Sequence, residues 1–224
     1  MVADFPKADL NDYTKLGDKD FWTKNLASEF FGTAFFFFGN TVIGNSGLGL
    51  DAGSSMALSY LIFGGIFKDA TLLSAFSFNN LMKKKDFGFF QFVFELFAQM
   101  FGAAFGFWLF GFLQLSEHYP AEATAALEYG SWNSFFQQVV AIAFFLYLFN
   151  KQEKSGLEKW IFTLAAFYLT HKIHASVMLA GSSLFTSALT VDTLWAVLSW
   201  DWVFTYFVQL AGAVVIASID YFFE

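Results

Sequence analysis

The sequence predicts an all-α membrane protein. Three observations carry that expectation: a composition too apolar for a water-soluble core, a series of hydrophobic stretches of membrane-spanning length, and lysines confined to alternate connections. Of the 224 residues, 57% are hydrophobic, 22% are aromatic and 35 are Phe, while 14% are charged. Soluble domains carry about 25% charged residues. A mean hydropathy of +0.52 on a chain this size leaves apolar surface that folding in water would expose to aggregation.

The same counts exclude several chemistries. Cys is absent, so thiol nucleophiles, disulfides and Cys-ligated metals are excluded. Every basic residue is Lys, and the net charge of −7 argues against nucleic acid as a partner. Both prolines, Pro6 and Pro120, fall outside the apolar stretches. No secretory or Arg-rich presequence is expected at the start. No phosphate-binding Gly loop, catalytic triad or metal-ligand spacing is present, so no enzyme, cofactor or metal is expected.

Residues 1–25 form a polar tail ending at Phe21-Trp22. A membrane helix needs roughly 20 apolar residues. The stretches 26–43, 87–113, 132–149 and 202–223 meet or approach that length, and 52–67 and 157–173 are shorter. A weakly hydrophobic segment follows each short stretch, 68–85 and then 174–200. Trp22, Trp132, Trp160 and Trp202 stand near span starts, as an interfacial aromatic belt would place them.

Six spans with both termini on one side put eleven of the twelve lysines on that side. They lie in the tail (Lys7, Lys15, Lys19, Lys24), after span two (Lys68, Lys83, Lys84, Lys85) and after span four (Lys151, Lys154, Lys159); Lys172 alone falls elsewhere. The opposite connections, 44–53 and 114–131, carry acids and no Lys, as the positive-inside rule predicts.

The chain also repeats itself. Gln99-x-x-Gly102-Ala103 recurs as Gln209-x-x-Gly212-Ala213, Glu29 of the first span answers to Gln138 of the fourth, and Ser77-Phe78-Asn79 answers to Ser183-Leu184-Phe185. Two repeats, 26–113 and 132–224, joined by a loop at 114–131, follow. Each has an odd number of spans, so the two are inverted. Interrupted hydrophobic segments in corresponding places then mark a functional region at the bilayer midplane. The segments 68–85 and 174–200 are expected to be re-entrant half-helices buried in protein.

These features together resemble the major intrinsic proteins, the aquaporin and glycerol-channel family. The resemblance covers residues 26 to about 223. It rests on Ser28-Glu29-Phe30-Phe31-Gly32-Thr33, the two Gln-x-x-Gly-Ala segments, the Trp202-Val203 opening of the last span and Gly181-Ser182-Ser183-Leu184. It implies an aquaporin-like fold of six transmembrane helices and two re-entrant half-helices. It also implies that Glu29, with Gln138 as its mate, supports a re-entrant loop. A proton relay is the sharper alternative for Glu29, and the neutral Gln138 weakens it.

The family's half-helices each begin with Asn-Pro-Ala, where Pro preorganises the helix start and Asn offers N–H donors to a passing solute. The first motif aligns here with Asn79-Asn80-Leu81 and the second with Phe185-Thr186-Ser187. The family's constriction Arg aligns with Ala188, and Ser77 stands where a His precedes the first motif. Phe185, Ser77, His171 and His174 are therefore the expected constriction, with Phe185 as a plug. A water molecule losing an Asn donor there gives up about 1–3 kcal/mol.

Other residues have plainer expectations. Glu95 is placed at the positive-side interface. His171, Lys172 and His174 read as a solvated helix end with a snorkelling Lys, or as a selectivity site. Ala98, Gly102 and Gly106 form a small-residue stripe for internal packing or for oligomerisation.

Two functions follow as expectations. One is a structural, accessory subunit with a blocked pore inside a larger membrane complex, a mitochondrial inner-membrane assembly being one candidate; its partners would be lipid and other membrane subunits. The other is an unorthodox channel for water or a small neutral solute, in a homo-oligomer.

Overall fold

The computed structural model describes residues 17–83, 87–113, 132–151, 156–173 and 200–223. All regular structure among them is helical. A π-helical turn, Phe21–Leu26, runs directly into α1 (Ala27–Gly44). Then come α2 (Ala52–Ile66), a short α3 (Ser74–Lys83), α4 (Phe89–Phe112), α5 (Trp132–Lys151), α6 (Gly156–Ile173) and α7 (Trp200–Phe223). Residues 21–25 of the expected tail are thus helical. Phe21 is buried and meets Phe94 of α4 edge-on at 6.3 Å, and that contact carries the helix past Leu26.

Two helical stretches are long and apolar enough to cross a bilayer, Phe21–Gly44 and Phe89–Phe110. The apolar stretches of α2, α5 and α7 are shorter: Ala52–Ile66, Phe135–Asn150 and Tyr206–Phe222. Large apolar side chains on the outside of these helices, Phe101, Trp108 and Phe207 among them, are more than half exposed. That is the surface a hydrocarbon solvent would cover.

Packing follows the glycines. α1 lies along α4 and α2, α5 lies along α7 and α6, and α2 meets α6. On α4, a Cβ at Gly102 would strike the Phe30 carbonyl oxygen and lie 3.1 Å from Thr33 Cβ, and one at Gly106 would strike the Ala34 carbonyl. On α7, a Cβ at Gly212 would strike the Ile142 side chain of α5. Small residues let the helix backbones approach this closely. The stripe of Ala98, Gly102 and Gly106 is therefore used inside the chain at its two glycines, and Ala98 is half-buried.

α3 occupies part of the segment expected to be re-entrant, 68–85. It packs against α7, α4 and α5. Its last residue, Lys83, forms an ion pair with Asp220 of α7. The matching segment, 174–200, lies outside the described residues apart from the first residue of α7, so His174, Phe185, Thr186, Ser187 and Ala188 are outside them as well.

Candidate functional site

The first-span signature organises a buried polar site. Glu29, 1% exposed, sits on α1 facing the loop that leads into α3. Its carboxylate accepts the Thr71 N–H at 2.6 Å, the Thr71 hydroxyl at 2.8 Å and the Leu72 N–H at 2.8 Å. Gln99 of α4 adds an Nε2–H donor at 2.6 Å. Leu72 has φ of +64°, a conformation that L-residues adopt at a cost of about 1–2 kcal/mol. Gly32, one turn along from Glu29, leaves the space that the buried Leu72 side chain fills: a Cβ there would stand 2.7 Å from Leu72 Cδ2. Glu, Gly and Thr of the signature thus hold the loop, admit its side chain and meet α4.

The network continues beyond Glu29. Ser77, fully buried on α3, lies 3.1 Å from Thr71 Oγ1, 2.9 Å from Gln99 Nε2 and 3.3 Å from Glu95 Oε2. Gln91 donates to Glu95 Oε1 at 3.0 Å. Glu95, expected at the interface, is corrected to a buried position at 5% exposure, because α3 folds over that face of α4. Its spacing from Gln99 by one helical turn was the available signal, since i and i+4 share a face. Ser77, expected at a constriction, belongs to this network.

Asn79 turns one amide N–H toward another helix of the chain. Its Nδ2 donates to Asn150 Oδ1 of α5 at 3.2 Å, and its own Oδ1 is buried without a partner. Asn80 and Leu81 are half-buried on α3, and Leu81 packs on the core. Gln138 is buried on α5 at 2% exposure.

His171 and Lys172 end α6 beside the start of α2. A Cβ at Gly53 would lie 2.9 Å from His171 Cβ. Lys172 Nζ is 3.7 Å from Asp51 Oδ2 and 5.2 Å from the Tyr168 ring centroid, and its side chain is 55% exposed. Asp51 caps α2 by accepting the Ser54 N–H at 2.7 Å. Partial burial pushes its carboxyl up, but the Ser54 hydrogen bonding, with the charges of Lys172 and His171, outweighs this and holds it below the ordinary carboxylate range. These contacts clamp the end of α6 to the start of α2.

The middle of the bundle is filled by rings. Tyr60 of α2 stands 5.4 Å from Phe149 of α5, 5.5 Å from Phe167 of α6 and 5.7 Å from Phe76 of α3. Phe76 and Phe149 are 4.7 Å apart, Phe145 and Phe167 are 5.1 Å apart, and Phe36 of α1 closes on Tyr60 at 6.4 Å. Phe36, Phe145 and Phe167 are fully buried. These separations fall in the favourable range for aromatic pairs, worth about 0.5–1.5 kcal/mol each beyond burial. Sequence reasoning missed this cluster, because 35 Phe residues give no contrast by which to single out six rings. The i, i+4 pair Phe145 and Phe149 was the only local signal.

Among known proteins, neither a family model nor a curated sequence matches this chain.

Proposed function

We propose that this chain is an aquaporin-like, six-span membrane protein whose central passage is closed by packed side chains, and that it acts as a structural subunit of a larger membrane assembly. The observation that carries this reading is the ring cluster. Five of the seven described α-helices contribute to it. An apolar, ring-filled constriction excludes water by dewetting.

Three further observations support the reading. Asn79, whose amide would serve a solute, is tied to Asn150. The Glu29 contacts with the Thr71 and Leu72 amides are those the resemblance implies for a re-entrant loop. The Gly102 approach to Thr33 and the Gly212 approach to Ile142 recur at offsets of 110 and 109 residues, those of the sequence repeat.

With transport closed, the broad aromatic exterior becomes the working surface, covered by lipid and neighbouring subunits. A mitochondrial inner-membrane assembly is the proposed setting. Extraction from native membranes in mild detergent, followed by mass analysis of the intact particle, tests the partner claim. A heteromeric particle is expected; a free homotetramer overturns it. Water flux through reconstituted vesicles tests the closed passage.

A further inference from the structure

We propose that α3 is a strap between the two halves of the chain, and that the ion pair of Lys83 with Asp220 is its clasp. When the pair is broken, the last turn of α3 lifts from α7 while its first turn stays fixed. The inference does not depend on whether the passage conducts.

The polar contacts of this segment change sides along its length. Ahead of α3, Glu29 of α1 holds Thr71 and Leu72 through two backbone N–H groups and a hydroxyl. Within its first turn, Ser77 accepts from Gln99 of α4 at 2.9 Å. Beyond that point the partners belong to the C-terminal half. Asn79 donates to Asn150 of α5 at 3.2 Å, and Lys83 pairs with Asp220 of α7. The two rings at the changeover reach both halves. Phe76 stands 5.7 Å from Tyr60 of α2 and 4.7 Å from Phe149 of α5. Phe78 stands 4.8 Å from Phe92 of α4 and 6.1 Å from Tyr206 of α7. One end of α3 is therefore anchored in each half.

The two anchors differ in kind. At the first, one buried carboxylate accepts three hydrogen bonds from the segment. At the second stand a single ion pair and one amide bond to Asn150, an exposed residue. The side chains of the pair are 28% exposed for Lys83 and 16% for Asp220. A pair so enclosed is screened less than a surface pair, and losing one partner strands a charge against the protein. Lys83 also lies in the last turn of α3, where a cation complements the helix dipole. With ten residues, α3 is shorter than the roughly 12–15 at which an isolated helix becomes even marginally stable. Its last turn thus depends on what ties it down, and losing the clasp frees that turn first.

Amide hydrogen exchange of the full chain in lipid nanodiscs tests the proposal. Lys83→Asp sets two carboxylates against each other, and Asp220→Lys sets two ammonium groups together. Each is expected to speed exchange at residues 80–83 by about tenfold or more. Phe76 and Ser77, whose amides bond to the Leu73 carbonyl, should keep their rates. The two substitutions combined should exchange more slowly at 80–83 than either alone. Lys172→Ala removes a more exposed pair, 3.7 Å from Asp51 on another helix, and should leave α3 unchanged. Unmoved exchange at 80–83, equal acceleration along the whole of α3, or a combined variant no slower than the single ones would each overturn the proposal. If a charge reversal does not fold, Lys83→Met removes the charge, keeps an apolar chain, and is read by the same contrast between the two ends of α3.

Discussion

The N–H of Leu72 donates to Glu29 Oε1 at 2.8 Å, and Leu72 is the one described non-glycine residue with a positive φ. The carboxylate holds a backbone conformation that the residue type disfavours, and Gly32 makes room for the side chain. Glu29→Ala leaves the buried Thr71 and Leu72 amides without their acceptor, at about 1–3 kcal/mol for each. Denaturant unfolding in detergent should show a loss of at least 2 kcal/mol, on the order of that principle's range. A loss below 0.5 kcal/mol, about the size of an ordinary surface substitution, would mean that the loop is held by something else.

The glycine contacts predict an asymmetry. Gly102→Ala would drive a methyl into the Phe30 carbonyl, which moves only with α1, whereas Gly212→Ala meets Cγ2 and Cβ of Ile142, side-chain atoms close to the α5 backbone. Overpacking costs about 1–3 kcal/mol. Gly102→Ala should fall at the top of that range and Gly212→Ala below it, read as shifts in unfolding midpoint. Equal shifts, or a larger one for Gly212→Ala, would contradict the packing described.

Asp51 predicts an acid limb. Its carboxyl sits below the ordinary range, since the Ser54 hydrogen bonds and the nearby cations outweigh burial. Its stabilising contribution is therefore complete above the unfolded value, about 3.9, and is lost as pH falls through the lower folded value. Asp51→Asn keeps a capping oxygen but removes the titration, so it should flatten stability against pH below that point. Asp51→Ala should cost about 1 kcal/mol near neutrality through loss of the cap. A mid-pH loss with Asn as large as with Ala would show that the Lys172 pair, not the cap, carries the effect.

The ring cluster predicts a gain. Truncating Tyr60 and Phe149 to Ala removes two rings, each paired with the other and with Phe76. Single truncations of buried aromatics cost about 3–5 kcal/mol, so the doubly substituted protein will be less stable, but the space left is lined by several helices. Water flux through vesicles should rise above that of the unsubstituted protein. An unchanged flux in a folded double variant would place the closure elsewhere.

The sequence made some of this visible and hid the rest for physical reasons. Helix positions followed from apolar length, and α5 begins at Trp132 as expected. That Glu29 needs partners followed from a charge inside an apolar helix, and that a loop supplies them was implied by the resemblance. Glu95 misled because its one-turn spacing to Gln99 acquires meaning only once α3 covers that face. Tyr60 was illegible for a different cause: an aromatic among aromatics carries no periodic signal, and its neighbours come from helices about 90 and 107 residues away. Asn79 could be aligned with a family motif, yet its partner Asn150 stands 71 positions along the chain.

The measurement that bears most directly on the account is stopped-flow swelling of proteoliposomes holding the unsubstituted chain, with insertion verified by protease protection. Water permeability equal to that of protein-free liposomes is the predicted result. Permeability clearly above it would contradict a passage closed by the rings around Tyr60 and would make this protein a channel.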